Sequence, residues 1–377
     1  MADEVKVLMM GGIRSGKTSV LASLFNQVVH GIMNDAFNIS DTSHLPSVCG
    51  CNRNTLADKR IELISAIENA KVNSSFMLDK NPNSTYYDYS LRIQIPSINK
   101  IRDIIFRDSY GSIFDAGCQY NTVVDLIRDC DVAVVVIDTP YLMVGSDVEA
   151  ELANMIESTH CILSNIGAQK AQQVIFVPVK CEKWAKEGKI DDVVSKVEDQ
   201  YSSIIKNLSS YNVEISIIPV QTIGDVVFED LRDPYVLANT RTNAQYRCSK
   251  ISNRLVNLAN GEVHKVAEDE TVSEDWSAKY TWGGQFTDII RCTEWFQLTN
   301  DHKPEYRPHN CEQILLHILR FMFSKEKAEA DRPSWIFRDI VRKSTARDMQ
   351  KAIEMLSHFN LIKDNVEGIK VIKRAFS

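Results

Sequence analysis

Eight residues near the start of the chain, Gly11-Gly12-Ile13-Arg14-Ser15-Gly16-Lys17-Thr18, set glycines, a lysine and a hydroxyl at the spacing G-x-x-x-x-G-K-[ST]. That combination suits a polyphosphate. Gly11 and Gly16 permit a backbone turn in which the N–H groups of Gly12, Ile13, Arg14 and Ser15 close on an anion. Lys17 has the reach for β- and γ-phosphates, the Thr18 hydroxyl suits Mg²⁺, and Ser19 continues the first helical turn, whose dipole adds positive potential. The elements that must position these groups flank them directly: the apolar run Val5 to Met10 reads as a strand, and Ser19-Val20-Leu21-Ala22-Ser23-Leu24-Phe25 as an apolar helix. A bare glycine turn between core elements is the competing explanation. The motif in this strand-to-helix context instead implies binding of a nucleoside triphosphate.

Further along, Asp108-Ser109-Tyr110-Gly111 is a D-x-x-G element expected at the carboxyl end of a strand. There the Asp108 carboxylate can hold Mg²⁺ directly or through water, and the Gly111 N–H can sense a γ-phosphate. Ahead of it, Thr85 is the chosen threonine for closing on Mg²⁺ and Thr42 the alternative; either can equally be an ordinary loop residue. The buried run Val174 to Val179 delivers Lys180-Cys181-Glu182, a lysine followed two positions later by a carboxylate. Lys180 is expected to pack along a base plane while Glu182 accepts from guanine N1–H and the exocyclic amine, a donor pair that adenine lacks on that edge. Compared with the guanine-reading pattern [NT]-K-x-D, Val179 and Glu182 are departures, and a plain charged strand end is the alternative. Thr222, after the next strand, stands where backbone amides would contact the base.

The hydrolytic apparatus is sparse. Ser112 follows Gly111 where Ras-like enzymes often place a water-orienting glutamine; Gln119 substitutes only if the loop folds back. Ile13 is bulky where a partner's arginine commonly enters, and Arg14 either supplies positive charge in cis or points to solvent. Slow intrinsic hydrolysis follows, raised by a partner or by self-association into a dimer. A P-loop ATPase, and a nucleotide-gated interaction protein without useful hydrolysis, are the competing classes.

At 377 residues with a formal net charge of -7, the chain can bury a large core and shows no global basic signal for nucleic acid. Its nine cysteines are odd in number and scattered, which suits reduced thiols in a cytoplasm. Cys49-Gly50-Cys51 with His44 nearby lacks a second ligand pair, so free loop thiols compete with a zinc site. No signal peptide or membrane-length apolar run is read, and the expected location is cytoplasmic.

The first helix is expected to run to about Val29, followed by an irregular stretch to Asn54 and a helix from Leu56 to Val72, so that residues 30–84 form an insertion. Tyr87 to Ile95 alternates as a half-buried, edge-type strand, and Ile101 to Arg107 returns antiparallel to it. Asp131 to Ile137 reads as a central parallel strand, Asp147 to Ile166 and Asp191 to Leu208 as helices, and Val213 to Val220 as a further strand. Residues 226–300 are a second insertion, with a strand at Ile289 to Leu298 and with Trp276 and Trp282 either in local packing or on a partner surface. From Ser324 the tail is expected as a separate module, 324–377: helices Trp335 to Lys343 and Ala346 to His358, then a hairpin of Leu361-Ile362 with Ile369 to Ile372. Its outline is winged-helix-like and mildly basic, favouring a docking module over a nucleic-acid role.

Tyr306-Arg307-Pro308-His309-Asn310-Cys311-Glu312 and the apolar helix after it, taken with the GGIRSGKTS loop, the DSYG element and the PVKCEKW segment, resemble the bacterial double-GTPase (DO-GTPase) group of the Ras-like, TRAFAC-class GTPases. The resemblance spans about Val5 to Phe323. It implies a three-layer α/β P-loop GTPase fold over 1–323, mostly parallel with one antiparallel edge strand. It also implies GTP/GDP and Mg²⁺ as ligands, and partner proteins encoded nearby in bacterial conflict systems. Carried over, Gly11, Gly16, Lys17 and Thr18 serve phosphates and metal, Asp108 and Gly111 the metal and γ-phosphate, and Lys180 with Glu182 the base.

Overall fold

The computed structural model describes residues 3–12, 15–30, 37–43, 55–68, 86–109, 120–144, 149–164, 172–232, 246–251, 254–257, 263–265, 293–298, 305–331, 339–358 and 361–376. In chain order the first elements are β1 (Asp3–Met10), α1 (Lys17–His30), β2 (Asn38–Asp41), α2 (Leu56–Glu68), β3 (Tyr86–Ile95) and β4 (Lys100–Ser109). There follow α3 (Tyr120–Asp129), β5 (Val132–Asp138), α4 (Thr139–Val144), α5 (Glu149–Leu163), β6 (Gln172–Val179), α6 (Glu182–Lys186), α7 (Ile190–Gln200), α8 (Ser202–Ser209) and β7 (Val213–Ile217). The later part holds β8 (Val226–Arg232), β9 (Tyr246–Ile251), β10 (Arg254–Asn257), β11 (Val263–Lys265), β12 (Thr293–Leu298), α9 (Cys311–Ala330), α10 (Asp339–His358) and β13 (Lys370–Lys373).

Every residue of β5, β6 and β7 is buried, as in strands covered on both faces. They lead an eight-stranded sheet of order β13-β7-β6-β5-β1-β4-β3-β2, parallel from β7 to β4. Along β1 the period-two alternation divides the core. Val5, Val7 and Met9 join Leu21 and Leu24 of α1 and residues of α9 and α10; Leu8 and Met10 join residues of α3, α5, α7 and α8. Helices therefore cover both faces, the three-layer α/β arrangement with a mostly parallel sheet that was expected. Among the described residues no helix is long and apolar enough to cross a membrane.

Two expectations change, and two others gain unanticipated neighbours. Asn38–Asp41 pairs antiparallel with β3, so β3 is not an edge; its own alternation of exposed and half-buried side chains carries no apolar period to read. The expected helix over 147–166 is α5, and the short α4 that precedes it was not anticipated. That over 191–208 breaks at Tyr201, whose ring packs on Phe176 with centroids 5.4 Å apart. In the second insertion β8 pairs antiparallel with β12, and β9 to β11 form a small antiparallel sheet. Trp276 and Trp282 lie outside the described residues.

The tail shows the largest difference. The boundary expected after Phe323 falls inside α9, and the two helices expected between 335 and 358 are one described helix, α10, whose Met349, Ala352 and Leu356 share the core of β1 and α1. No hairpin forms between 361–362 and 369–372. The backbone of Leu361 and Lys363 is bonded instead by the Gln313 side chain of α9 at 2.9 Å each, and β13 adds antiparallel to β7, so that β3 and β13 run against the other six strands. Sheet edges attract any unpaired strand, and β7 had a free one. Buried polar groups reinforce the join: Glu214 of β7 accepts from Arg320, Arg374 and Gln173. Burial raises the Glu214 carboxyl above its ordinary value, against the pull of Arg320.

The turn before β13 is equally tight. Gly368 has φ +77°, and a Cβ there would overlap Ile190 Cγ2 of α7. Gly368→Ala combines left-handed strain with overpacking and should lower unfolding free energy by about 2–4 kcal/mol. A urea titration of both proteins measures it; an unchanged midpoint would mean that this turn is not docked on α7.

Candidate nucleotide-binding site

The phosphate end forms where β1 stops beside its sheet neighbour β5. Gly11 has φ +149°, and a Cβ on it would lie 2.7 Å from both Ser15 Oγ and the Val136 carbonyl, so only glycine passes there. Gly16 has φ +95° as the chain turns into α1. Within this turn the buried Lys17 ammonium donates to the carbonyls of Gly11 and Gly12, both at 2.8 Å. Ser15 is buried, and its Oγ has no hydrogen-bond partner among the described residues. Ser19 lies half-buried in the first turn of α1.

Asp108 reaches the same place from the end of β4, where it stands in register with Met9 of β1 and Tyr87 of β3. Thr18 donates to its Oδ2 at 2.6 Å. Burial pushes the Asp108 carboxyl above its ordinary value, while Lys17, the Thr18 hydrogen bond and Lys59 pull it back. A hydroxyl and a carboxylate side by side, both hard oxygen donors, fit a Mg²⁺ ion. Lys59 was not picked out from the sequence: it sits on α2, is buried, and pairs with Glu62 at 2.8 Å. A single lysine on a helix reads as solvent-facing, so nothing in the local pattern marks it.

The base end is built by β6 and the turn after β7. Lys180 adopts φ +60°, and its ammonium pairs with Asp138 Oδ2 at 2.7 Å. Glu182 opens α6 and is buried; its Oε1 accepts the N–H groups of Thr222 and Ile223, both at 2.7 Å. The Thr222 amide is thus engaged by Glu182 rather than turned toward a base, and Ile223, not anticipated, shares the role. Glu182 Oε2 is buried with no partner among the described residues. Burial raises the Glu182 carboxyl to about 7, the backbone donors and Lys180 opposing that rise.

Thr42, the alternative metal threonine, is tied to β3 by its N–H and hydroxyl on the Ser90 carbonyl and by its hydroxyl on Ser90 Oγ. Ile13, Arg14, Thr85, Gly111, Ser112 and Gln119 lie outside the described residues, as do His44, Cys49 and Cys51. Among the described residues Cys181 and Cys311 are buried free thiols.

No protein-family model and no curated protein matches this chain. Among solved structures it is similar to the GTPase-like domain of Ski7 from S. cerevisiae bound to GTP, at 13% identity and a TM-score of 0.33 over 59% of this chain and 43% of that one. It is also similar to Sup35 complexed with GDP, at 10% identity and a TM-score of 0.27 over 59% of this chain and 38% of that one. The chain therefore spans less than half the length of either protein.

Proposed function

We propose that this chain is a GTP-binding switch that hydrolyses GTP slowly. The observation that carries the reading is a pair of buried polar atoms without partners among the described residues, Ser15 Oγ at the phosphate turn and Glu182 Oε2 at the base turn. Buried polar atoms are nearly always satisfied, and a nucleotide spanning the two turns would satisfy both. Lys17 and the Gly11–Thr18 turn hold the phosphates, Lys180 flanks the base, and Glu182 Oε2 accepts from guanine N1–H and the exocyclic amine with its two lone pairs. Thr18 and Asp108, with Thr85 as the further threonine, would hold Mg²⁺, which neutralises charge on the β- and γ-phosphates when bound.

Ser112 after the D-x-x-G element supports slow turnover, because a serine orients water poorly in place of glutamine. Arg14 and Gly111 are the remaining residues assigned to the transition state. The resemblance to bacterial double GTPases supports a place as the nucleotide-dependent component of a multi-protein defence system in the cytoplasm, with partners encoded nearby. Phosphate release followed at two protein concentrations tests the rate. Intrinsic turnover of roughly 10⁻⁴ to 10⁻² per second is expected. Fast turnover that is independent of concentration would contradict it.

A further inference from the structure

Residues 305–311 lead into α9 as a strap that touches the turn at the base end and the helix α1 that follows the phosphate turn. On the base side, Gln221 and His309 exchange backbone hydrogen bonds in both directions, at 3.1 and 2.9 Å. Asp225 N–H donates to the Glu305 carbonyl at 3.3 Å, and Asp225 Oδ2 accepts from Glu305 N–H at 3.0 Å. Gly224 lies between these bonds with φ +61°, and a Cβ on it would stand 2.6 Å from Arg307 N and from the Glu305 carbonyl oxygen. The residues enclosed by these bonds, Thr222 and Ile223, are the two whose amides occupy Glu182 Oε1.

Along α1, the helix that Lys17 opens, the Tyr306 hydroxyl donates to Ser23 Oγ at 2.7 Å. One turn further, Gln27 Oε1 accepts from Cys311 N–H at 2.8 Å and Glu312 N–H at 3.3 Å. The residue at the helix entrance, Asn310, makes no side-chain cap, so α1 itself caps α9. The helix that begins with Lys17 and the turn that orients Glu182 are therefore fastened to one short segment.

We propose that this strap determines guanine selectivity, with Gly224, Asp225 and Tyr306 as positioning residues. It holds the Thr222 and Ile223 amides on Glu182 Oε1 at a set distance from the phosphate helix, which leaves Oε2 alone for the base. The proposal rests on the guanine reading above. A hydrogen-bonding edge discriminates only while its atoms stay in place, and a displacement of about 1 Å can lower a geometry-dependent step a hundredfold. Phosphate binding depends on the loop and Lys17 and does not need the strap.

The test compares dissociation constants for Mg²⁺ complexes of GTP, ATP and inorganic tripolyphosphate in the full chain, Gly224→Ala and Asp225→Ala, with thermal melting as the folding control. The expected result for Gly224→Ala is a fall of about tenfold or more in the GTP-to-ATP preference with tripolyphosphate binding held within about twofold, and a smaller fall in the same direction for Asp225→Ala. If Gly224→Ala does not fold, Asp225→Ala decides. A folded variant set with undiminished preference overturns the proposal, as does an equal loss for all three ligands. A parent chain without guanine preference overturns the guanine reading and this proposal together.

Discussion

Lys17→Ala is expected to remove nucleoside triphosphate binding while leaving the fold in place. The ammonium is buried in the turn and bonded to the Gly11 and Gly12 carbonyls, so it is preorganised where phosphate charge would arrive. Truncating one partner of a desolvated charge contact costs about 2–5 kcal/mol, roughly thirtyfold to several thousandfold in affinity. A second loss adds to the first. Lys17 is the largest influence opposing the upward shift of Asp108, so without it the carboxyl is more often protonated and holds Mg²⁺ less well. The two carbonyls it leaves face a half-exposed turn that water can enter, so melting without nucleotide should change little. Equilibrium titration with a fluorescent GTP analogue measures the effect. Binding within about threefold of the parent would contradict the assignment of the phosphate turn.

Glu182→Gln has the second large expected effect, on which base is bound. The amide oxygen can keep the Thr222 and Ile223 donors, but the NH₂ group then stands where Oε2 was. It faces the guanine donors with a donor and offers adenine N1 a bond. Guanine affinity should fall about a hundredfold or more while ATP affinity holds or rises. Acidity gives an independent signature. With Oε1 occupied by two N–H groups, the proton of neutral Glu182 sits on Oε2, and the group titrates at about 7 in the folded chain against an ordinary 4.5. Guanine needs the carboxylate. Its affinity should rise about tenfold per pH unit up to about 7 and then level, with ATP and the Gln variant showing no such slope. Stability has the opposite sign. Between 4.5 and about 7 the folded chain binds more protons than the unfolded, so this carboxyl's contribution is complete below 4.5 and declines as pH rises, by the order of 3 kcal/mol. A guanine affinity flat across that range would contradict the role of Oε2.

What the sequence made legible was what local pattern encodes. The phosphate turn needs glycine geometry and a lysine at set spacing, and both Gly11 and Gly16 show the positive φ that the pattern demands. The buried parallel strands announce themselves as runs such as Val132 to Ile137, where every residue is apolar. Elements defined by a partner rather than by their own composition were not legible. β2 is the polar segment Asn-Ile-Ser-Asp, a strand only because β3 offers an edge. β13 reads as half of a local hairpin until Gln313 claims the Leu361 and Lys363 backbone from α9. At the site, the lysine and carboxylate of 180–182 could be found by spacing. That Glu182 spends one oxygen on the Thr222–Ile223 turn, and that the segment 305–311 fastens this turn to α1, depends on contacts between residues far apart in sequence.

The most direct test of the central claim is an equilibrium titration of the 377-residue chain with GTP and with ATP, each with excess Mg²⁺, at pH 8, where Glu182 is expected to be ionised. The account predicts GTP bound about a hundredfold or more tightly than ATP. ATP bound equally or more tightly would contradict it and would make the chain a P-loop ATPase in which Glu182 only braces the turn at Thr222 and Ile223.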